Sequence, residues 1–310
     1  MNFSEIKNSI RYSKPINFCR KTVKSISFLG FEGMSIYEGI KFTIEAFMRS
    51  DILTKSAAIS FRFFIALFPT VILILSLIPY VPIQDFQNNL LKSITDILPD
   101  SLDTMISHTI EDLILKKHKG VLSIGFILTL YYASSIISSV LNTFSSSYQI
   151  EVKRNPIKLR LIGLFLMIGI TIMMLTGFTL ILFSENYISY LMEEYQIDNW
   201  LITTSLNLLK WVAVIILFIL SISTLYNVAH TERRKWKVLS AGASWTTGLI
   251  ILTSLGLNFY INNFDSYNRL YGSIGSLIVF LLWINISSTI LIVGFELYAK
   301  TNSLDDKGFE

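Results

Sequence analysis

Charge is scarce in this chain. Only 15% of its 310 residues are Asp, Glu, Lys or Arg, against roughly 25% in soluble globular proteins, so lipid rather than water must be the main solvent. Cys19 is the single cysteine, which excludes an intrachain disulfide. The three histidines, His108, His118 and His230, stand far apart, so no His/Asp metal cluster is expected. Neither a Walker A loop nor a Gly-x-Ser-x-Gly elbow is present, which leaves phosphate-loop and serine-hydrolase chemistry without a carrier. The first 30 residues lack the apolar core of a cleaved signal peptide, so the first spanning helix is expected to serve as the targeting signal.

What the chain has is apolar length. Hydrophobic residues make up 52%, with 22 Phe, and they gather in six runs near 57–79, 121–144, 159–183, 208–229, 238–261 and 274–299. A helix of roughly 20 such residues spans about 30 Å of hydrocarbon. The fold class is therefore all-α: a polytopic membrane protein with six transmembrane helices in a domain over 35–300, between a basic tail, 1–34, and a short tail, 301–310. Trp200, Trp211, Trp236 and Tyr80 fall near run ends, where amphipathic rings anchor at headgroup depth.

The connections set the orientation. Nine basic residues from Lys7 to Lys55 precede run 1, Lys153, Arg154 and Lys158 lie between runs 2 and 3, and Arg233, Arg234, Lys235 and Lys237 between runs 4 and 5. The alternate connections are poor in them, and that between runs 3 and 4 carries Glu185, Glu193, Glu194 and Asp198 instead. By the positive-inside rule both termini are cytoplasmic. Lys116, Lys117 and Lys119 dissent, on the outer side beside Glu111 and Asp112.

Two further regions carry helical spacing. Ile36, Ile40, Ile44, Phe47 and Met48 alternate with Glu38, Lys41, Glu45 and Arg49, which predicts an amphipathic helix, either on the inner membrane surface or packed on the cytoplasmic end of the bundle. Between runs 1 and 2, Phe86, Leu90, Ile94 and Ile97, then Leu102, Met105, Ile106, Ile110 and Leu113, predict two more. Pro99 breaks them and Asp100 or Ser101 caps the second, making a short hydrophobic lid over the outer mouth.

Ionisable residues inside spans mark function by default, and here Arg62 and Glu296 stand out. Arg62 lies about two helical turns into run 1 and Glu296 about one turn from the end of run 6, both at the cytoplasmic side. They either pair with each other or reach the headgroups separately. In run 2, Tyr131, Ser135, Ser138, Asn142 and Ser145 recur every three or four residues on one helix face, to line a hydrated path or to pack against a neighbour. Ser244 with Gly248, and Gly272 with Ser276, have the small-xxx-small spacing of close helix approach. Pro69, in mid-run 1, removes a backbone donor and can kink the helix. The stretch Asn262 to Gly272, with Ser266, Tyr267, Asn268 and Tyr271, is the densest polar and aromatic cluster near the membrane. It precedes a helix whose free amides can receive an anion, or it forms a capped re-entry turn with Gly272 easing the backbone.

The motifs Asn263-Phe264-Asp265-Ser266-Tyr267-Asn268, Tyr271-Gly272-Ser273-Ile274-Gly275, Leu281-Leu282-Trp283 and Gly294-Phe295-Glu296-Leu297-Tyr298-Ala299 resemble the C-terminal signature of the YihY/virulence factor BrkB family of bacterial inner-membrane proteins. Ala57-Ala58, Phe61 and Phe68-Pro69, with Asn142, Glu151, Arg154 and Arg160, extend the resemblance over roughly 40–300. It implies six transmembrane helices and an inner-membrane location. It transfers no catalytic residue, because the old ribonuclease BN label of that family is regarded as misassigned, while other members are associated with serum resistance or small-molecule export.

The expectation is a non-enzymatic membrane protein without cofactor or metal, transporting or exporting an amphiphilic or lipid-like molecule. Its candidate path residues are Arg62, Pro69, Ser135, Ser138, Asn142, Ser266, Tyr267, Asn268, Tyr271, Gly272 and Glu296. Membrane lipids are its expected partners and nucleic acid is not. The alternative is a scaffold or envelope assembly factor.

Overall fold

The computed structural model describes residues 36–82, 85–95, 105–147, 155–194, 200–229, 236, 239–263 and 273–307. Among these the chain is almost entirely helical, without a strand. In order come α1 (Ile36–Phe47), α2 (Ser50–Leu77, running into a 3-10 turn at Ile78–Tyr80), α3 (Phe86–Thr95), α4 (Met105–Leu115) and α5 (Lys119–Ser147). Then follow α6 (Pro156–Glu194), α7 (Trp200–Ala229), α8 (Ala241–Asn263) and α9 (Ser273–Lys307). The basic tail, the Pro99 break with its expected cap, and positions 264–272 lie outside the described residues. α9 carries helix as far as Lys307, into what the sequence reads as a tail.

Five helices are long and apolar enough to cross a membrane: Ser50–Tyr80, Lys119–Ser146, Ile157–Ile181, Thr204–Ala229 and Leu277–Thr301. The expected run at 238–261 forms α8, which is not one of the five. Its 23 residues would reach about 34 Å, so length is not the reason. Thr246, Thr247, Thr253, Ser254 and Asn258 dilute its apolar content, and its first turns, with Ala241, Gly242, Ala243, Thr246 and Thr247, are buried against protein. α6, at 39 residues, is about 58 Å long and would extend well beyond a bilayer core of about 30 Å.

Local chemistry explains where helices begin and how their polar side chains survive in apolar surroundings. Asn155 Oδ1 accepts from the Ile157 amide at 3.0 Å ahead of Pro156 at the first position of α6, and Ser240 Oγ accepts from the Ala243 amide at 3.2 Å to open α8. Within helices, hydroxyls return to the preceding turn, as Thr70 does to the Ala66 carbonyl (2.7 Å) and Thr247 to that of Ala243 (2.9 Å). Such bonds satisfy each donor inside its own helix, where lipid offers no partner.

The core sits at one end of the bundle. Phe144 of α5 stacks on Phe295 of α9 with centroids 4.2 Å apart, and Tyr226 of α7 meets both rings edge-on. The Tyr226 hydroxyl donates to the Leu291 carbonyl at 2.8 Å and bonds to Thr246 Oγ1 at 2.8 Å, while Tyr298 donates to Asn227 Oδ1 at 2.9 Å. Four helices are thereby joined through aromatic contact and fully used hydroxyls. α8 and α9 approach closely at Gly242 and Gly294: a Cβ on Gly242 would lie 2.5 Å from the Gly294 carbonyl and 2.6 Å from Tyr298 Cβ, and one on Gly294 would overlap Thr246 Oγ1. The close approach therefore uses Gly242, Thr246 and Gly294. The Ser244/Gly248 spacing read from the sequence does not make it, because a Cβ at Gly248 would meet nothing within 4 Å.

α1 packs on one end of the bundle, as one of its two expected settings has it. Trp245 of α8 donates to Thr43 Oγ1 at 2.9 Å, and Lys300 of α9 lies over the Phe42 ring at 5.3 Å. Its opposite face keeps Ile40, Ile44 and Met48 exposed. At the other end, α3 and α4 form at the two predicted amphipathic segments and pack on each other, with α4 also on α2. Asp112 holds Lys116 at 2.7 Å and lies 2.8 Å from His118 Nε2; Lys117 sits over the Tyr80 ring at 5.3 Å. The hydrogen bond from Lys116 pulls the Asp112 carboxyl below its usual range and the same bond raises the Lys116 ammonium. Much of the dissenting basic cluster is thus occupied locally.

Candidate functional site

The polar face of α5 opens into a cleft of about 470 Å³. Its floor is Ser135, Ser138, Ser139, Asn142, Thr143 and Ser146 of α5, with Arg62 of α2 on one side and Leu159 and Arg160 of α6 on the other. The spacing that put Ser135, Ser138 and Asn142 on one face is realised here. The same face also packs: a Cβ on Gly163 of α6 would come within 3.0 Å of the Ser134 carbonyl and Ser138 Oγ, so one edge of the stripe seats α6 while the rest lines the cleft.

Both arginines are oriented by α5. Arg62 Nη1 donates to Ser135 Oγ at 2.9 Å. Arg160 lies over the Tyr131 ring at 4.7 Å and donates to its hydroxyl at 3.3 Å. Among the described residues no carboxylate stands within ion-pair distance of either guanidinium, and both side chains are exposed. Two cations, several hydroxyls and an amide lining one cleft, with no acidic partner among the described residues, suit an anion.

Of the two settings open for Arg62 and Glu296, the mutual pair does not form. Glu296 Oε2 instead accepts from Arg49 Nη2, at the start of α2. The register of α2 against α9 explains it: Ser60 bonds to Ser288 at 3.3 Å, so Glu296, eight positions further along α9, lies about 12 Å along the axis toward Arg49, and Arg62 steps about 3 Å the other way. Glu296 is 6% exposed, and its Oε1 is buried without a hydrogen-bond partner among the described residues. Pro69 is buried within α2, which continues past it, and does not line the cleft. Ser266, Tyr267, Asn268, Tyr271 and Gly272 lie outside the described residues. Sequence reasoning missed Arg49 and Ser139 as site residues and took Arg160 only as part of a motif; its place one turn into α6, at the same end as Asn142, was the available signal.

A family model described as Virulence factor BrkB matches residues 43–307, a stretch that includes the cleft, the Arg49–Glu296 pair and the aromatic core. The chain belongs to the Virulence factor BrkB family. Among its relatives, a Bacillus subtilis (strain 168) protein, YfkH, whose name includes the words ribonuclease-like, is 28% identical over 258 residues, covering 82% of this chain and 92% of its own. A Haemophilus influenzae (strain 86-028NP) protein named as a UPF0761 membrane protein is 23% identical over 255 residues, covering 82% of this chain and 90% of its own. No solved structure matches the chain. As a BrkB-family member it is an integral membrane protein with several apolar helices.

Proposed function

We propose that this BrkB-family chain is a six-span protein of the bacterial inner membrane, with both termini in the cytoplasm, that transports or exports an amphiphilic or lipid-like molecule along the α5 cleft. The observation that carries the reading is a polar cleft with two arginines on the flank of a bundle that exposes many large apolar side chains. Exposed Phe61, Leu161 and Phe165 stand on the helices that carry those arginines. An amphiphile matches both surfaces at once, its polar end in the cleft and its apolar part against the bundle. The substituents of the cleft are cations and hydroxyls, whereas a metal-dependent nuclease works through carboxylates, so the ribonuclease-like wording of the Bacillus name is not carried over. α8 completes the sixth crossing in this reading, its polar half sheltered by protein.

The scaffold alternative draws support from the aromatic core. Phe144, Tyr226 and Phe295 are fully buried and fill the bundle centre at that end, which favours either a surface groove or no path at all. Transport along the groove is tested with proteoliposomes holding a fluorescent phospholipid in both leaflets and an impermeant quencher outside. Wild-type protein should expose the inner-leaflet pool; a protected pool equal to that of protein-free vesicles would favour the scaffold.

Topology is tested separately through the single cysteine. Cys19 should resist an impermeant maleimide in intact cells and react after permeabilisation, whereas Asn263→Cys placed in a Cys19→Ser background should react in intact cells. Labelling of both from outside would break the six-span arrangement.

A further inference from the structure

We infer that the cleft is a binding site for a phosphate ester, and that the ester is the headgroup of an anionic phospholipid entering from the leaflet on the side of the α5–α6 connection. The inference rests on the amphiphile-path reading and gives it a headgroup chemistry. Arg62 and Arg160 are each held by a single α5 partner, Ser135 and Tyr131 respectively, which fixes the guanidinium while leaving its other N–H groups without partners among the described residues. Planar guanidinium forks match phosphate oxygens in pairs. The Asn142 amide and the Ser139 hydroxyl line the same cleft and have no hydrogen-bond partner among the described residues. Of the other cleft hydroxyls, Ser135 accepts from Arg62, while Ser138 donates to the Ser134 carbonyl at 2.8 Å and Ser146 to that of Thr143 at 2.9 Å. The free donors thus line the cleft that carries the two cations, and among the described residues no carboxylate stands within ion-pair distance of either.

A volume of about 470 Å³ is in the range of small-ligand sites. The lipid source is favoured over a soluble phosphate ester by the neighbours of the two arginines. Phe61, beside Arg62, is 63% exposed and Leu161, beside Arg160, is 54% exposed; both give acyl chains an apolar surface next to the headgroup. A soluble phosphate ester would gain nothing from them.

The test is native mass spectrometry of the full-length detergent-solubilised protein, titrated separately with phosphatidic acid, phosphatidylcholine and glycerol 3-phosphate. Wild type should retain phosphatidic acid at least tenfold better than phosphatidylcholine. Arg62→Gln and Arg160→Gln should each weaken it about tenfold, as expected for loss of a charged hydrogen bond, with Arg62→Lys and Arg160→Lys intermediate because the charge stays and the fork is lost. Asn142→Ala, a change on an exposed side chain, should weaken binding by a smaller factor with unchanged thermal unfolding, which guards against a misfolded arginine variant. Equal retention of phosphatidic acid by wild type and the double glutamine variant would overturn the site. Glycerol 3-phosphate binding as tightly as phosphatidic acid would overturn the lipid source. Loss of binding in the variants with no phospholipid movement in wild-type proteoliposomes would leave the site standing and remove the transport reading; movement undiminished in the double variant would do the reverse.

Discussion

Gly294→Ala is expected to cause the largest loss of folded protein of any single methyl added to this chain. A Cβ there would overlap Thr246 Oγ1 and come within 2.6 Å of the Tyr226 hydroxyl, so α8 and α9 must separate or Tyr226 must abandon its bonds to Thr246 and Leu291. Overpacking of this kind costs about 1–3 kcal/mol, and a displaced buried hydroxyl adds about 1–3 kcal/mol. Thr246→Ala removes the obstructing oxygen together with the γ-methyl and leaves only the Cβ, 3.0 Å from the added carbon. The double variant Gly294→Ala/Thr246→Ala should therefore recover part of the loss, a coupling that independent sites do not give. Thermal unfolding in detergent, with the monodisperse yield, reads both effects. A Gly294→Ala protein as stable as wild type would contradict the close approach.

The second large effect is expected at the elbow between α1 and α2. Arg49→Gln leaves the buried Glu296 carboxylate without its cation. Breaking a fully buried pair by removing one member costs about 3–5 kcal/mol, and because Arg49 is 45% exposed the expected loss is smaller, about 1–3 kcal/mol. Adding Glu296→Gln should restore most of the stability, since two neutral groups no longer carry an uncompensated charge. Arg62→Gln, by contrast, should be additive with Glu296→Gln. Rescue of Glu296→Gln by Arg62→Gln instead would reinstate the pair that the α2–α9 register separates.

These two sites differ in how far they could be read from the residues. Glu296 was visible as an ionisable group in a span, but its partner was not. The apolar run begins at Ala57 whereas α2 begins at Ser50, so hydropathy does not reveal the first turns of α2 and assigns Arg49 to the polar face of the amphipathic segment before it. Gly294 was visible only as a motif letter, because spacing along one helix does not state which helix approaches it. Ser244 and Gly248 had the expected spacing and no close neighbour at Gly248. The α5 stripe was legible as a face, since the 3.6-residue period alone places Ser135, Ser138 and Asn142 together, but whether that face packs or stays open depends on where α2 and α6 lie against it.

Taken alone, the residues determined that this is a helical membrane protein, where its apolar helices run, and that amphipathic helices precede and follow the first of them. These are local properties, set by hydropathy, periodicity and the obligation of every backbone amide in lipid to bond within its own helix. The tertiary structure decided the pairings: Arg49 with Glu296, Gly242 and Thr246 with Gly294, Arg62 with Ser135 and Arg160 with Tyr131. Each depends on the register and rotation of two separate helices, and no one-dimensional pattern specifies either.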